Sequence, residues 1–129
     1  MINYSKDELG IATITLDNPD KSANVINLKF GEAFRAILEK LQAEKENIRG
    51  IIFMSAKETF LAGADIDEMF KENDAKHFFD RAQKLKEGLR YIETQGKPVV
   101  AAINGTALGA GFELALACHR RIVIDSPRI

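Results

Sequence analysis

The chain has few of the residues that form covalent cross-links or metal sites. Of its 129 residues one is a cysteine, Cys118, and two are histidines, His77 and His119. A single cysteine cannot form a disulfide within one chain, and its apolar surroundings favour a small buried side chain over a reactive thiol. The histidines lie far apart without a second cysteine, so we expect no metal site and interpret both as surface or hydrogen-bonded residues.

Excess charge of one sign and long apolar runs are also missing. Eighteen basic and nineteen acidic residues give a formal net charge of −1, which does not support a nucleic-acid or anionic-membrane partner. No apolar run approaches the roughly 20 residues that span a bilayer, and no basic and apolar leader follows Met1. We expect a cytoplasmic protein, and a mature mitochondrial matrix protein without its transit peptide would look the same.

The apolar residues that are present form an alternation of strands and helices. The hydrophobic content of 46% is ordinary for one globular domain with a core. The expected apolar face of the longest helix comprises Phe78, Ala82, Leu85, Leu89 and Ile92. The predicted elements are a strand at 10–16, a helix from the Asn27 cap to about 46, a strand at 48–54, a helix from the Asp74 cap to the turn at 95–97, a strand at 98–103, a helix at 109–118 and a strand at 121–124. This order predicts an α/β fold.

The first candidate for chemistry is the segment at 60–69, FLAGADIDEM, which follows a strand. Ala62, Gly63 and Ala64 stand in succession before a short predicted helix. Small side chains let a ligand approach the backbone closely. A tight turn with Asp65 at an acidic helix start is the other interpretation, and the segment alone leaves both open.

The second candidate is the segment at 101–119, in which a buried strand leads through glycines into a helix that carries Glu113. A helix N-terminus presents unpaired N–H groups and a positive pole that favour anions, although glycines there often serve only as turns. A dinucleotide fingerprint fails because Leu114 replaces its third glycine, and a P-loop lacks its GK[ST]. Two small-residue loops, each after a strand, could aim two backbone N–H groups at one oxygen, as in an oxyanion hole.

Three segments together resemble the enoyl-CoA hydratase/isomerase family, also called the crotonase family. They are NPDKSANVIN, FLAGADIDEM and KPVVAAINGTALGAGFELALACH, and the resemblance covers nearly the whole chain. ELALACHRRI is similar to the hydratase part of multifunctional fatty-acid oxidation proteins. The resemblance implies a ClpP/crotonase-like spiral of ββα units, with residues 1–129 as the N-terminal part of one domain. It also implies a trimer-based homo-oligomer or a place in a fatty-acid oxidation complex.

The function that the resemblance implies is hydration of 2-enoyl-CoA thioesters in fatty-acid β-oxidation. The backbone N–H groups of Ala64 and Ala110 would hold the thioester oxygen. Glu113 matches the first of two family glutamates that position and activate water, and isomerases commonly lack it. Coenzyme A is part of the substrate, so no separate cofactor is implied. The implied acyl-CoA site comprises Ala62, Gly63, Ala64, Asp65, Ile66, Asp67, Gly109 and Ala110.

Two departures from the family pattern leave alternatives open. Ala110 stands where glycine is commoner, which is harmless if its φ is negative, as we expect. The second family glutamate corresponds to a position just after Ile129, so we expect the chain to be about half of a catalytic domain. The alternatives are an enoyl-CoA isomerase, another CoA-thioester enolate enzyme, or a non-catalytic acyl-CoA-binding fragment. RNA binding, known for a few relatives, is the least favoured because no basic and aromatic patch is evident.

Overall fold

The computed structural model describes residues 1–71, 74–127 and 129, and within them five strands form one sheet. The sheet order follows the chain order, β1-β2-β3-β4-β5. β1 pairs with β2 antiparallel, and every other pair is parallel. The strands are β1 (Ile2–Lys6), β2 (Ile11–Leu16), β3 (Gly50–Ser55), β4 (Val99–Ile103) and β5 (Arg120–Val123).

Helices lie in the connections between the parallel strands. Each such connection must bring the chain back to the end of the sheet at which the previous strand began. The helices are α1 (Leu28–Ala43), α2 (Ile66–Lys71), α3 (Ala75–Thr94) and α4 (Ala110–Ala117), and a 3₁₀ turn (Lys45–Asn47) follows α1. The predicted α/β order is confirmed, but it began at residue 10 and so omitted β1. The first predicted helix was also too long, because the chain tightens into the 3₁₀ turn after Ala43.

The core lies between the parallel strands and α1. Alternate residues of β2, β3 and β4 are buried, as are Phe30, Phe34, Ile37 and Leu41 of α1. The Asn27 side chain caps α1 as predicted, because its oxygen accepts the Phe30 N–H at 2.8 Å. The sequence had indicated this helical face correctly.

The predicted face of α3 is buried only in its later turns. Ile92 is buried, and Leu85 and Leu89 are partly covered, whereas Phe78 is 47% exposed. α1 packs tightly against α3 at Gly88, where a Cβ would lie 2.8 Å from the Phe34 ring. The prediction that Phe78 faces the core was therefore wrong, because periodicity identifies a helical face but not how much of its length is covered.

The sulfur and imidazole groups have the structural roles that the sequence indicated. Cys118 is buried, and burial raises the pKa of its thiol to about 12. His119 accepts the Val99 N–H at 3.0 Å, and its other nitrogen lies 2.9 Å from the Glu93 carbonyl oxygen. His77 is exposed beside the Asp74 carboxylate that caps α3. Over the described ranges, no helix combines the length and the apolar character needed to cross a membrane.

Candidate active site

The site is built on the segment at 60–65, which lies between β3 and α2 and directly precedes α2. Ile26 donates its N–H to the Gly63 carbonyl at 2.7 Å and accepts the Asp65 N–H at 3.0 Å. These bonds form a one-residue parallel bridge between Ile26 and Ala64. Because Ile26 bonds to both neighbours of Ala64, the N–H of Ala64 itself faces away from Ile26.

The loop between β4 and α4 lies along the same segment. Leu61 donates to the Thr106 carbonyl at 3.1 Å and accepts the Leu108 N–H at 3.1 Å. Main-chain hydrogen bonds thus connect the residues that lead into α2 with those that lead into α4. These main-chain hydrogen bonds help to fix the positions of the backbone amides in both loops.

Glycine is required where these two loops meet. Gly63 has φ +100°, and a Cβ there would lie 2.9 Å from the Leu108 carbonyl oxygen and 3.9 Å from the Gly109 Cα. A side chain at Gly111 would overlap the Leu61 carbonyl oxygen. Only glycine combines this φ with so close an approach. The small residues in both loops therefore bring one backbone directly against the other.

The N–H groups of Ala64 and Ala110 are unpaired at this junction. Neither donates a hydrogen bond to any part of the chain that the structure describes. Ala110 is the first residue of α4 and, as expected, has a negative φ, so its methyl group causes no backbone strain. The preceding N-cap, Gly109, takes the positive φ of 53°. Neither amide is therefore used in the hydrogen bonds that hold the described loops together.

Glu113 lies one turn further along α4. Its N–H donates to the Gly109 carbonyl at 3.0 Å, and its side chain is exposed. Within residues 1–71, 74–127 and 129 its carboxylate has neither a hydrogen bond nor an ion pair. An exposed carboxylate without a partner among the described residues can accept a proton from a bound water.

An open groove of about 500 Å³ runs beside the segment at 60–65. Its second wall is the loop from Asp20 to Val25. The groove includes five of the residues that the resemblance implied, Ala62, Ala64, Asp65, Ile66 and Asp67. Gly63, Gly109, Ala110 and Glu113 do not line it; Gly63 instead packs against the α4 loop.

Asp65 anchors the start of α2. Its Oδ1 accepts the Glu68 N–H at 3.3 Å, and its Oδ2 lies 3.4 Å from the Lys21 Nζ. The hydrogen bond from the Glu68 N–H lowers the pKa of the Asp65 carboxyl below 3.8. Burial opposes this shift, and Lys21 adds to it. Glu68 in turn accepts from the Leu28 N–H at 2.9 Å and from Arg81 at 2.8 Å. Asp65 thus stabilises the start of α2 as an ion-paired carboxylate, and its low pKa does not suit it to act as a general base.

Asn24 and Ile26 are the site residues that reasoning from the sequence missed. Both hold the segment at 60–65 through main-chain bonds, and Asn24 is completely buried. No periodicity marks them, because they lie in an irregular loop. The available signal was an asparagine among small and apolar residues, where an amide must find internal partners once it is buried.

The fold is an α/β fold in which two loops, each following a parallel strand, meet main chain to main chain at Gly63 and Leu108. A family model described as enoyl-CoA hydratase/isomerase matches residues 6–129. The chain therefore belongs to the enoyl-CoA hydratase/isomerase family, and its fold is the N-terminal portion of the crotonase fold.

Solved structures support the same assignment. An enoyl-CoA hydratase from Bacillus anthracis matches with TM-score 0.84 and 32% identity over 95% of this chain and 46% of its own. One from Thermoplasma volcanium has TM-score 0.83 and 29% identity, covering 95% and 47%. One from Polaromonas sp. JS666 has TM-score 0.83 and 28% identity, with the same coverage. The chain spans about half the length of these relatives.

Proposed function

We propose that this chain carries part of the active site of an enoyl-CoA hydratase, which adds water across the double bond of a 2-enoyl-CoA thioester. The supporting observation is the junction of two loops whose Ala64 and Ala110 amides are unpaired, with the Glu113 carboxylate one turn away. The chain belongs to the enoyl-CoA hydratase/isomerase family, and the solved structures described above are named enoyl-CoA hydratases. For this reason we propose a CoA thioester as the substrate.

The proposed chemistry places negative charge on the thioester oxygen. Water attacks C3 of the enoyl group, the double-bond electrons shift toward the carbonyl, and the oxygen becomes enolate-like. Hydrogen bonds from the Ala64 and Ala110 N–H groups would stabilise that charge. Removing one such donor from a comparable site lowers kcat by about 10² to 10³-fold.

Glu113 is the proposed acid/base on the water side. Its carboxylate would accept a proton from the attacking water while the protonated carboxyl of a second acid delivers a proton to C2, so that water adds across the bond without net charge. By the family pattern a second glutamate shares this task. This chain would supply one carboxylate of the pair and both amides.

The test is hydration of a short 2-enoyl-CoA by the protein at its full natural length. Glu113→Gln removes the proton acceptor and keeps the size, so we expect kcat to fall by about 10² to 10⁴-fold with little change in KM. Glu32→Gln, the same change at an exposed position of α1, should leave kcat within about twofold.

Two results would count against the proposal in different ways. Undiminished kcat in Glu113→Gln would contradict the role of Glu113, whereas no hydration at any acyl length would contradict the function. Product analysis would separate hydration from double-bond isomerisation.

One further candidate is a non-catalytic acyl-CoA-binding unit, and it is favoured by the groove beside the segment at 60–65, which Glu113 does not line. Calorimetry and product analysis with a 2-enoyl-CoA separate the two, because binding without turnover supports the binding unit and hydration contradicts it. The role in fatty-acid β-oxidation, the multifunctional parent, the trimer-based assembly and the cytoplasmic location stay predictions.

A further inference from the structure

We infer that Asn24 is a positioning residue for the Ala64 N–H, an inference that rests on the proposed function. Asn24 is 0% exposed, although it lies in an irregular loop. Its carbonyl accepts the Ala62 N–H at 2.8 Å, and its own N–H donates to the Thr59 Oγ1 at 3.3 Å. Asn24 thus holds the segment at 60–65 by its main chain on the side opposite the Ala64 N–H.

The Asn24 side chain fixes this residue against two strand ends. Its Nδ2 lies within hydrogen-bond distance of three acceptors, the Ser55 Oγ at 2.8 Å and the carbonyls of Leu16 and Phe60 at 3.1 Å each. Its Oδ1 accepts the Asn18 N–H at 2.9 Å. Leu16 ends β2 and Ser55 ends β3, so one amide connects the carboxyl edge of the sheet to the residues that enter the site.

This chain of contacts ends at Ala64. Asn24 is two residues before Ile26, whose N–H and carbonyl bond to Gly63 and Asp65 on either side of Ala64. A shift of the loop at 24–26 therefore moves both neighbours of the donor. A donor in a catalytic site must keep its position within about half an ångström, and a displacement of about 1 Å can cost about 10²-fold in rate.

An amide suits this position because it combines donors and an acceptor without charge. A carboxylate in its place would set a buried negative charge against two carbonyl oxygens and the Ser55 hydroxyl. An apolar side chain would leave the Leu16 and Phe60 carbonyls without this partner. Both changes would displace the loop, so the effect on Ala64 must be separated from a general loss of stability.

Gln95 provides the matched control. It is 8% exposed, and its side chain also makes three bonds to the main chain, to the Ile92 and Lys97 carbonyls at 3.2 and 2.6 Å and from the Lys97 N–H at 2.9 Å. It precedes β4, whereas Asn24 lies at the carboxyl ends of β2 and β3. A buried amide is lost in either case, but only one is next to the proposed site.

The experiment compares Asn24→Ser with Gln95→Ser in the full-length protein. We expect similar losses of urea midpoint, but only Asn24→Ser should lower kcat, by about 10 to 100-fold, with KM within about threefold. Hydrogen exchange of the Ala62 and Asp65 amides should become at least about tenfold faster in Asn24→Ser, and that of the β4 amides should not.

The outcomes separate this inference from the proposed function. If the unsubstituted protein hydrates no enoyl-CoA, the proposed function fails, and the exchange measurement still decides whether Asn24 positions the segment. Exchange and kcat equal to those of Gln95→Ser would overturn the inference. If Asn24→Ser does not fold, Ser55→Ala removes one Asn24 partner: a smaller fall in kcat with the same exchange pattern supports the inference, and unchanged values overturn it.

Discussion

At the scale of single residues, the chemistry of the site is carried mainly by the backbone. Ala64 and Ala110 would act through their N–H groups, so the sequence could indicate them only by their small size and by family resemblance. The contact between Gly63 and Leu108 could not be predicted, because it joins two segments more than 40 residues apart. Glu113, in contrast, could be identified from the sequence because its side chain would carry the chemistry. Its exposure could not be predicted, because it depends on which residues pack around α4.

Ala110→Pro tests the backbone donor directly. Proline lacks the N–H and is tolerated at the first position of a helix, where no helical hydrogen bond is lost. Gly109, with φ 53° and ψ −126°, has the mirror image of the extended conformation that residues before proline adopt, which an achiral glycine accepts. We expect α4 to form and kcat for enoyl-CoA hydration to fall by about 10² to 10³-fold.

Ala75→Pro is the control for that substitution. Ala75 is the exposed first residue of α3, and Asp74 before it is extended, with φ −101° and ψ 106°. The kcat of Ala75→Pro should remain within about twofold of that of the unsubstituted protein. If Ala110→Pro is folded, as judged by circular dichroism, and keeps full kcat, the Ala110 N–H is not a donor to the reacting oxygen.

At the scale of elements, the sequence predicted the helices and parallel strands better than the edge strand. β1 reads INYSK, with few apolar residues and no pronounced alternation, so periodicity did not single it out. Besides its pairing with β2, it contacts the end of α1, which is distant in sequence. The Tyr4 hydroxyl donates to Glu44 at 3.0 Å, and Lys6 lies 2.7 Å from the same carboxylate oxygen.

This contact predicts an unusual titration of Tyr4. Burial first, and then the hydrogen bond and charge of Glu44, raise the pKa of Tyr4 from 10.0 to about 12. The folded state therefore favours the protonated phenol, and its stabilising contribution is complete below pH 10 and is lost as pH rises through 12. Glu44→Gln should bring the pKa down but keep it above 10.0, because burial, the largest cause, remains.

The titration can be followed by tyrosinate absorbance in a Tyr91→Phe background. Tyr91 is the other tyrosine, and burial raises its pKa as well, so removing it leaves one signal. Glu39→Gln, which changes an exposed carboxylate elsewhere on α1, should leave the Tyr4 pKa unchanged. An identical Tyr4 pKa with and without the Glu44 charge would show that Glu44 does not hold β1 against α1.

At the scale of the whole molecule, composition and periodicity predicted the α/β class, and the resemblance supplied the crotonase fold. Neither periodicity nor spacing specifies which strands pair, because pairing brings together residues from distant segments. The register places Ile14, Phe53 and Ala101 side by side across β2, β3 and β4. That alignment gathers the carboxyl ends of these strands at one edge, from which all three loops of the site emerge.

Phe53→Ala tests whether this alignment forms the packed centre of the molecule. Phe53 is 0% exposed on the middle strand, and deleting a buried phenylalanine ring costs about 3–5 kcal/mol of unfolding free energy. Phe79→Ala makes the same change where the ring is 60% exposed on α3, and it should cost within about 0.5 kcal/mol. Urea denaturation measures the loss of unfolding free energy in both variants, provided that the dependence of this free energy on urea concentration is unchanged. Because a domain has only about 5–15 kcal/mol in total, Phe53→Ala should leave a large unfolded fraction in mild denaturant; equal losses in the two variants would place the stabilising core away from β3.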